Sequence, residues 1–504
     1  MSSLLDELRR RALEAGGPEK VRRQRERGKL LARERVELFF DKNSFEEIGW
    51  LVGESLEGPL GDGVIAGYGR INGRLVFGFF QDFTIMGGSI GLKHAKKIAW
   101  CIRKAMEVGV PVIGVFDSGG ARIQEGVNAL HGVGLIFASI IEASGIIPQV
   151  AVMAGPCAGG AAYAPALMDF VVMVDKISYM FITGPNVVKE VTGEDVTFQD
   201  LGGASVHSRI SGVAHFRAQS EEDAARIVKK LLSYLPDNCK AMPPRTKPLT
   251  NPEEPVYELE SILPEDRTAP YDMRELLKLV VDPGSLFGVH EEWAPNIITA
   301  FGRIGGVPVC IIANQPKYKA GVIDIDASCK AARFIRFCDC FNLPILMFVD
   351  VPGYMPGVDQ EHGGIIRHGA KMLYAYYEAT VPKITVIIRK AYGGAYISMG
   401  SKALGADVVY AWPTAEIAVL GPEAAVRILY RKELEKSENP DEVLKKLAAE
   451  YAAKHLNPFN AALQGYIDDV IKPSETRRKI YRALMMLLPK KVNRTPRKHG
   501  NIPL

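Results

Sequence analysis

Apolar positions along this chain follow two different periods. From Phe45 to Asp82 they alternate with polar ones in short runs broken by Gly61-Asp-Gly63 and Asn72-Gly73, a pattern of strands joined by tight turns. The period becomes helical over 92–107, apolar over 110–117, helical over 126–144 and apolar again over 147–154. That is the spacing of βαβ units, and it predicts an α/β fold with buried parallel strands. Residues 1–36 carry charge throughout and read as helix. Two readings suit them: a solvated arm lying on a neighbouring subunit, which is preferred, and a contact for an anionic ligand.

Between 236 and 270 the texture changes, with eight prolines in a stretch that cannot sustain helix or central strand. The expected organisation is a domain over 1–245, a proline-rich linker over 246–270 and a second domain over 271–504. Beyond the linker the first half recurs. Gly69-Arg-Ile-Asn-Gly73 answers to Gly302-Arg-Ile-Gly-Gly306, an offset of 302 − 69 = 233. The same offset pairs Gly88 with Gly321, Lys97 with Lys330, Pro111 with Pro344, Asp117 with Asp350 and Gly120 with Gly353. One residue of slack aligns Gly159-Gly160 with Gly393-Gly394, and three more align Gly184-Pro185 with Gly421-Pro422. So many turn residues in step predict a duplicated domain.

Each copy runs strand, glycine turn, helix, strand, second glycine turn, helix. In the second copy a β-rich run over 382–388 drives into Gly393-Gly394 and then turns helical. Glycines there let the backbone approach a ligand with its N–H groups exposed at a helix start, where they suit an oxygen that gains charge during reaction. The stretch from Glu423 to His455, interrupted at Asn439-Pro440, is expected to be helical and to pack on a partner subunit. The tail from Pro489 is basic and expected to be exposed.

Composition bounds the function. The 504 residues are 47% hydrophobic and 24% charged, and a net charge of +4 does not point to nucleic acid. No apolar run of about 18 residues is free of polar breaks, and the N-terminus lacks the apolar core of a signal peptide. The seven cysteines have no paired spacing, so a reduced, cytoplasmic chain is expected. Cys338-Asp-Cys340 lacks a second ligand pair, and no metal site is expected. A Walker loop, a dinucleotide fingerprint and a His-Glu-x-x-His motif are all absent from the sequence.

Two motifs are decoys. Gly87-Gly-Ser-Ile-Gly91 matches a nucleophile elbow, but Ser89 has Val322 as its repeat mate and no Asp and His follow in order. Ala370-Lys371-Met372 suggests biotin attachment, but it falls in a helical run over 365–379 rather than an exposed hairpin. What remains is backbone chemistry. Two oxyanion-type sites suit a reaction with two carbonyl-like oxygens that gain charge, such as a thioester enolate and a ureido anion.

The motifs Pro352-Gly-Tyr-Met-Pro-Gly357, Glu361-His-Gly-Gly-Ile-Ile-Arg-His368 and Ile388-Arg-Lys-Ala-Tyr-Gly-Gly-Ala-Tyr396 carry a resemblance. With Gly155-Pro-Cys-Ala-Gly-Gly160, Ser211-Gly-Val-Ala-His-Phe216 and Ala415-Glu-Ile-Ala-Val-Leu-Gly-Pro422, they are similar to the carboxyltransferase (β) subunit of biotin-dependent acyl-CoA carboxylases. The similarity runs from about Gly28 to the C-terminal helices. It implies two crotonase-like domains and a homohexamer, with active sites between the N-terminal domain of one subunit and the C-terminal domain of another. The first would hold acyl-CoA and the second biotin. By motif, Gly159 and Gly160 would donate N–H bonds to the thioester enolate, and Gly394 and Ala395 would hold the biotin ureido oxygen. The turns at Gly119-Gly120 and Pro352-Gly353 would line the same clefts. Carboxybiotin would release CO₂, its N1 would take the α proton, and the enolate would attack CO₂, with no side-chain base or metal required.

Ile397 departs from the resemblance, because many propionyl-preferring relatives have aspartate there; propionyl-CoA, acetyl-CoA or both are the implied substrates. The chain has no ATP-binding domain or biotin site of its own. The resemblance therefore implies a separate biotin carboxylase and biotin carboxyl carrier protein. The same subunit in a methylmalonyl-CoA decarboxylase is the alternative; a non-catalytic CoA-binding scaffold and a serine hydrolase are more remote.

Overall fold

The computed structural model describes residues 2–504, which form two compact units, one up to residue 242 and one from residue 243 onward. In the first, β1 (Glu46–Ile48), β2 (Val64–Ile71), β3 (Arg74–Gln81), β4 (Val112–Ser118), β5 (Gln149–Ala158), β6 (Phe170–Val174), β7 (Tyr179–Phe181) and β8 (Phe216–Ala218) form one sheet. Strands β1 to β3 are antiparallel. Parallel pairing then continues through β4, β5, β6 and β8, while β7 pairs the far end of β5.

The β2–β3 hairpin closes through Asn72 and Gly73, at φ of 50° and 79°. Two such residues reverse the chain without splaying the strands. Asp41 accepts from both turn N–H groups, at 3.0 and 2.8 Å. β4 is buried at every position, as befits a parallel strand covered on both faces. The expected helices are present as Leu92–Val108 and Val127–Ala143. Their Ile98, Ile102, Ile136 and Ile140 join Phe79, Phe116 and Val171 in one apolar core.

The second unit repeats this sheet with β9 (Phe287–Val289), β10 (Ile297–Ile304), β11 (Val307–Asn314), β12 (Ile345–Val351), β13 (Lys383–Tyr392), β14 (Val408–Ala411), β15 (Glu416–Ala418) and β16 (Asp469–Val470). Strands β10, β11 and β12 begin 233 positions after β2, β3 and β4, and β13 begins 234 after β5. Its hairpin uses Gly305 and Gly306, at φ of 56° and 79°, with Asp282 accepting from both N–H groups. Even a buried lysine recurs. Lys97 donates to the Gly61 and Val64 carbonyls, and Lys330 to those of Ala294 and Ile297, the same places in the repeat. The repeat is a fold written twice.

Three expectations need correction or detail. Residues 1–36 are three helices, Ser2–Leu13, Pro18–Glu26 and Ala32–Phe39, and the arm packs on its own unit, with Lys29 and Arg35 buried. A charged run does not show which of its cations have a buried partner. The proline-rich stretch is ordered on the second unit: Thr246 N donates to Gly306 O at 3.0 Å, Val256 N to Ser474 O at 2.9 Å, and Leu259 is buried. No helix among the described residues is long and apolar enough to cross a membrane.

The cysteines were expected to be reduced throughout, but Cys310 in β11 and Cys338 in the helix Ile325–Cys340 form a disulfide. Their separation of 28 residues matches no motif, because only helix-on-sheet packing brings them together. In the first unit the same two places hold Phe77 and Ala105, which pack in the apolar core. Thiol titration of the denatured, unreduced protein should count five of the seven cysteines, rising to seven after reduction. Closing a loop of that length is worth about 3.6 kcal/mol, so reduction should lower the melting temperature.

Candidate active site

Each unit ends its second parallel strand on a buried aspartate, and each supplies that carboxylate with a cation from a different source. Asp350, at the end of β12, pairs with Arg389 Nε at 3.0 Å and accepts from Lys390 N at 3.1 Å. Arg389 has Gly155 as its repeat mate, so β5 offers Asp117 no cation. The N-terminal arm fills the vacancy. Lys29 Nζ lies 2.6 Å from Asp117 Oδ1, Arg35 Nη1 lies 2.9 Å from Oδ2, and Gln24 Nε2 donates to Oδ2 at 3.1 Å. Arg35 also bonds Glu221 at 2.6 Å. A Cβ on Gly155 would lie 2.0 Å from Asp117 Oδ1, so only glycine leaves room for this cluster.

Burial pulls the Lys29 pKa below its ordinary value, against the attraction of Asp117. Burial also opposes charge on Arg35, but Asp117 and Glu221 together outweigh it and raise its pKa. Behind both aspartates the packing repeats. Gln81 Oε1 accepts from Asp117 N at 3.1 Å, and Asn314 Oδ1 accepts from Asp350 N at 3.2 Å.

The next strand in each unit carries the glycine turn. β5 ends at Ala158, and the chain turns at Gly159 (φ 66°) into a short helical segment, Gly159–Ala162. β13 ends at Tyr392, and the chain turns at Gly393 (φ 59°) into the helix Gly393–Ser398. The first N–H groups of a helix have no acceptor within it and point outward from its end. Gly394 faces open space, since a Cβ there would meet nothing within 4 Å; at Gly160 the nearest atom would be Val133 Cγ1 at 3.7 Å. In this register Gly160-Ala161 is the counterpart of Gly394-Ala395. Ala161 and Ala395 turn their methyl groups into the core.

The turns after β4 and β12 are laid against the preceding glycine loops. Gly120 O accepts from Ile90 N at 2.8 Å, and Gly353 O accepts from Ile323 N at 3.1 Å. The N–H of Gly119 is engaged by Gly87 O at 2.9 Å and that of Gly120 by Ser118 Oγ at 3.1 Å, so this turn offers wall rather than donors. Ser89 has no elbow chemistry: its Oγ accepts from Arg122 Nε at 3.2 Å. The nearby His94 ring is occupied by Asp62 O and Gln81, and burial drives its pKa to about 3. Lys371 lies in the helix Ile365–Glu378.

The turn at Gly393-Gly394 opens on a cleft of about 540 Å³, walled by Ile397, Ile417 and Val419 on one side and by His455, Asn460, Gln464 and Tyr466 on another. Ile397 is 42% exposed and forms part of its surface.

A carboxyl transferase domain matches residues 23–502. The propionyl-CoA carboxylase carboxyltransferase subunit of Haloferax mediterranei is 54% identical over 514 residues, covering 100% of both chains. The methylmalonyl-CoA decarboxylase subunit alpha of Veillonella parvula is 52% identical, over 99% of this chain and 98% of its own. Transcarboxylase 12S, solved as a hexamer assembly with methylmalonyl-coenzyme A bound, superposes with a TM-score of 0.96 at 47% identity, over 100% of this chain and 98% of that one.

The chain belongs to the carboxyl transferase family.

It is an enzyme of that type, with the duplicated domain that the repeat predicts and the crotonase-like fold that the resemblance implies. Sequence reasoning missed two parts of this carboxyl transferase. The far wall of the cleft comes from residues 455–466, a stretch with no chemical signature that follows the helix Pro440–His455. The cations of Asp117 were missed as well, although a signal was available: a core strand ending in aspartate, with glycine where the repeat has Arg389, needs a cation from elsewhere.

Replacing Arg35 with methionine would leave Asp117 and Glu221 short of their shared partner in a dry interior. Denaturant unfolding of Arg35→Met should show a loss of about 3–5 kcal/mol, the usual consequence of breaking a buried ion pair from one side.

Proposed function

We propose that this chain moves a carboxyl group from carboxybiotin, held on a separate biotin carboxyl carrier protein, to the α carbon of a short-chain acyl-CoA, propionyl-CoA or acetyl-CoA. The observation that carries the reading is the duplicated glycine turn. Two helix starts, each at the carboxyl end of a parallel strand, offer backbone N–H donors, and the reaction has two oxygens that gain charge. The full-length similarity to a propionyl-CoA carboxylase subunit supports the substrate class. A biotin carboxylase would recharge the carrier. The homohexamer is proposed from the transcarboxylase 12S, which is solved as a hexamer assembly.

In this reading Gly159 and Gly160 hold the thioester oxygen as the α proton leaves. Donors fixed before the reaction need no reorganisation as the enolate charge develops. Gly119 and Gly120 shape the wall beside them. Gly394 and Ala395 hold the ureido oxygen of biotin, and Gly353 and Ile397 line that side. The second-unit cleft suits such a ring, with open space above Gly394 and an apolar face at Ile397, Ile417 and Val419 that sheds water. When bound, biotin supplies the ureido nitrogen on which the carboxyl group travels.

A second reading keeps the chemistry and reverses its use. The methylmalonyl-CoA decarboxylase subunit of Veillonella parvula is nearly as similar, so the chain could serve a decarboxylase complex. Copurification separates the two: soluble, ATP-dependent partners support the carboxylase, and a polytopic membrane partner supports the decarboxylase.

Gly394→Val tests the second glycine turn. A Cβ at this position meets no atom within 4 Å, so the fold should survive while the donors toward the ureido oxygen are screened. Carboxyl transfer should fall about 100-fold, the usual effect of losing an oxyanion donor, with acyl-CoA affinity retained. An unchanged rate would remove this turn from the mechanism.

A further inference from the structure

Two hydroxyl groups in the second unit form a chain that ends on the glycine turn. Ser398, the last residue of the helix Gly393–Ser398, has its Oγ 3.1 Å from Gly394 O. A carbonyl only accepts, so the serine hydroxyl donates there and its one proton is spent. Tyr354 Oη lies 2.6 Å from the same Oγ, so in that pair the tyrosine is the donor. The order is fixed: Tyr354 to Ser398, and Ser398 to Gly394.

Both hydroxyls are held in place. Tyr354 follows the Pro352-Gly353 turn, where Ile323 N donates to Gly353 O and Met355 N donates to Ile323 O at 2.8 Å. Its ring lies against the helix Ile365–Glu378 at Gly369, where a Cβ would stand 3.0 Å from Tyr354 Cε1. Ser398 is fully buried. Burial raises the Tyr354 pKa, against the bond to Ser398, so the hydroxyl carries its proton at neutral pH.

The repeat supplies a comparison within the same chain. Tyr354 bridges to Ile323 as Ala121 bridges to Ile90 in the first unit, and Ala164 has the place of Ser398. Alanine side chains donate nothing, so the first glycine turn lacks this chain. The hydroxyl pair belongs to the second turn alone.

The Gly394 carbonyl and the Ala395 N–H are two ends of one conjugated peptide group. A proton donated to the oxygen fixes the plane of that group and leaves its N–H more positive, and bonds in a row strengthen one another. A donor strengthened in this way favours an oxygen that gains charge over the same oxygen while neutral. Its effect therefore falls on turnover rather than on binding.

We propose that Tyr354 is a positioning residue of the second glycine turn: through Ser398 it orients and polarises the Gly394–Ala395 peptide group, whose N–H serves the ureido oxygen of biotin. This rests on the carboxyl-transfer reading given above. It adds a side-chain contribution that the first turn does not have.

The test follows biotin-dependent decarboxylation of methylmalonyl-CoA by the full chain. Tyr354→Phe removes one oxygen and leaves the ring on Gly369. Its kcat should fall about tenfold, less than the direct loss of an oxyanion donor, with KM for biotin and for methylmalonyl-CoA unchanged. Ser398→Ala should fall at least as far, and Tyr354→Phe should add nothing in its presence, because the two changes break one chain. A second readout needs no turnover. With biotin isotope-labelled at its ureido carbonyl and bound to the parent, infrared difference spectra should show the carbonyl stretch below that of free biotin. In Tyr354→Phe the stretch should move back toward the free value. A parent-like kcat or a parent-like stretch in Tyr354→Phe overturns the inference and leaves the carboxyl-transfer reading intact. So does a raised KM for biotin at unchanged kcat, or a further loss from Tyr354→Phe in the Ser398→Ala background. A parent chain without biotin-dependent turnover overturns that reading and the inference with it.

Discussion

A buried carboxylate at the end of the second parallel strand is the constraint on which the rest of both units depends. Asp117 and Asp350 sit where β4 and β12 give way to glycine turns, away from water, and each must meet a cation or disrupt the strand end it occupies. The second unit answers from the adjacent strand, through Arg389. The first has glycine at that place and recruits Lys29 and Arg35 from the N-terminal arm. One requirement has two solutions, and the first explains why a charged arm begins the chain. The arm completes a core that would otherwise hold an unpaired anion.

With strand ends fixed in this way, the proposed chemistry needs only backbone donors at the turns that follow. Gly159 and Gly393 adopt left-handed φ values at which other residues are strained, and they turn the chain into helix starts whose N–H groups face outward. The proposed reaction moves charge from one carbonyl-like oxygen to another and calls for one such device for each. The duplicated fold contains two. Divergence then separated them: Gly394 opens on an apolar cleft lined by Ile397, while the first unit lays a cationic arm across its strand ends.

The features legible in the sequence were those with strict backbone demands. Glycine pairs at 159–160 and 393–394, hairpin residues at 72–73 and 305–306, and the aspartates near the strand ends stand at offsets of 234, 233 and 233, because each position tolerates few residues. Features created by distant side chains were not legible. A run such as Glu19 to Lys29 looks solvated by composition, and nothing in it shows that Lys29 lies inside while Arg22 and Arg23 lie outside. Cys310 and Cys338 belong to a strand and a helix that meet only in the packed core. The cleft wall from 455 to 466 carries amide and ring side chains without a motif, so only the fold brings it opposite Gly394.

The central claim is that one of the two backbone sites serves a thioester and the other a ureido ring, and that a carboxyl group passes between those ligands. Incubating the full chain with methylmalonyl-CoA labelled in its free carboxyl group, with and without free biotin, tests this most directly. The account predicts that label leaves the CoA ester only when biotin is present, at a rate that rises with biotin concentration. A chain that binds the CoA ester yet releases label equally with and without biotin, or not at all, would contradict it.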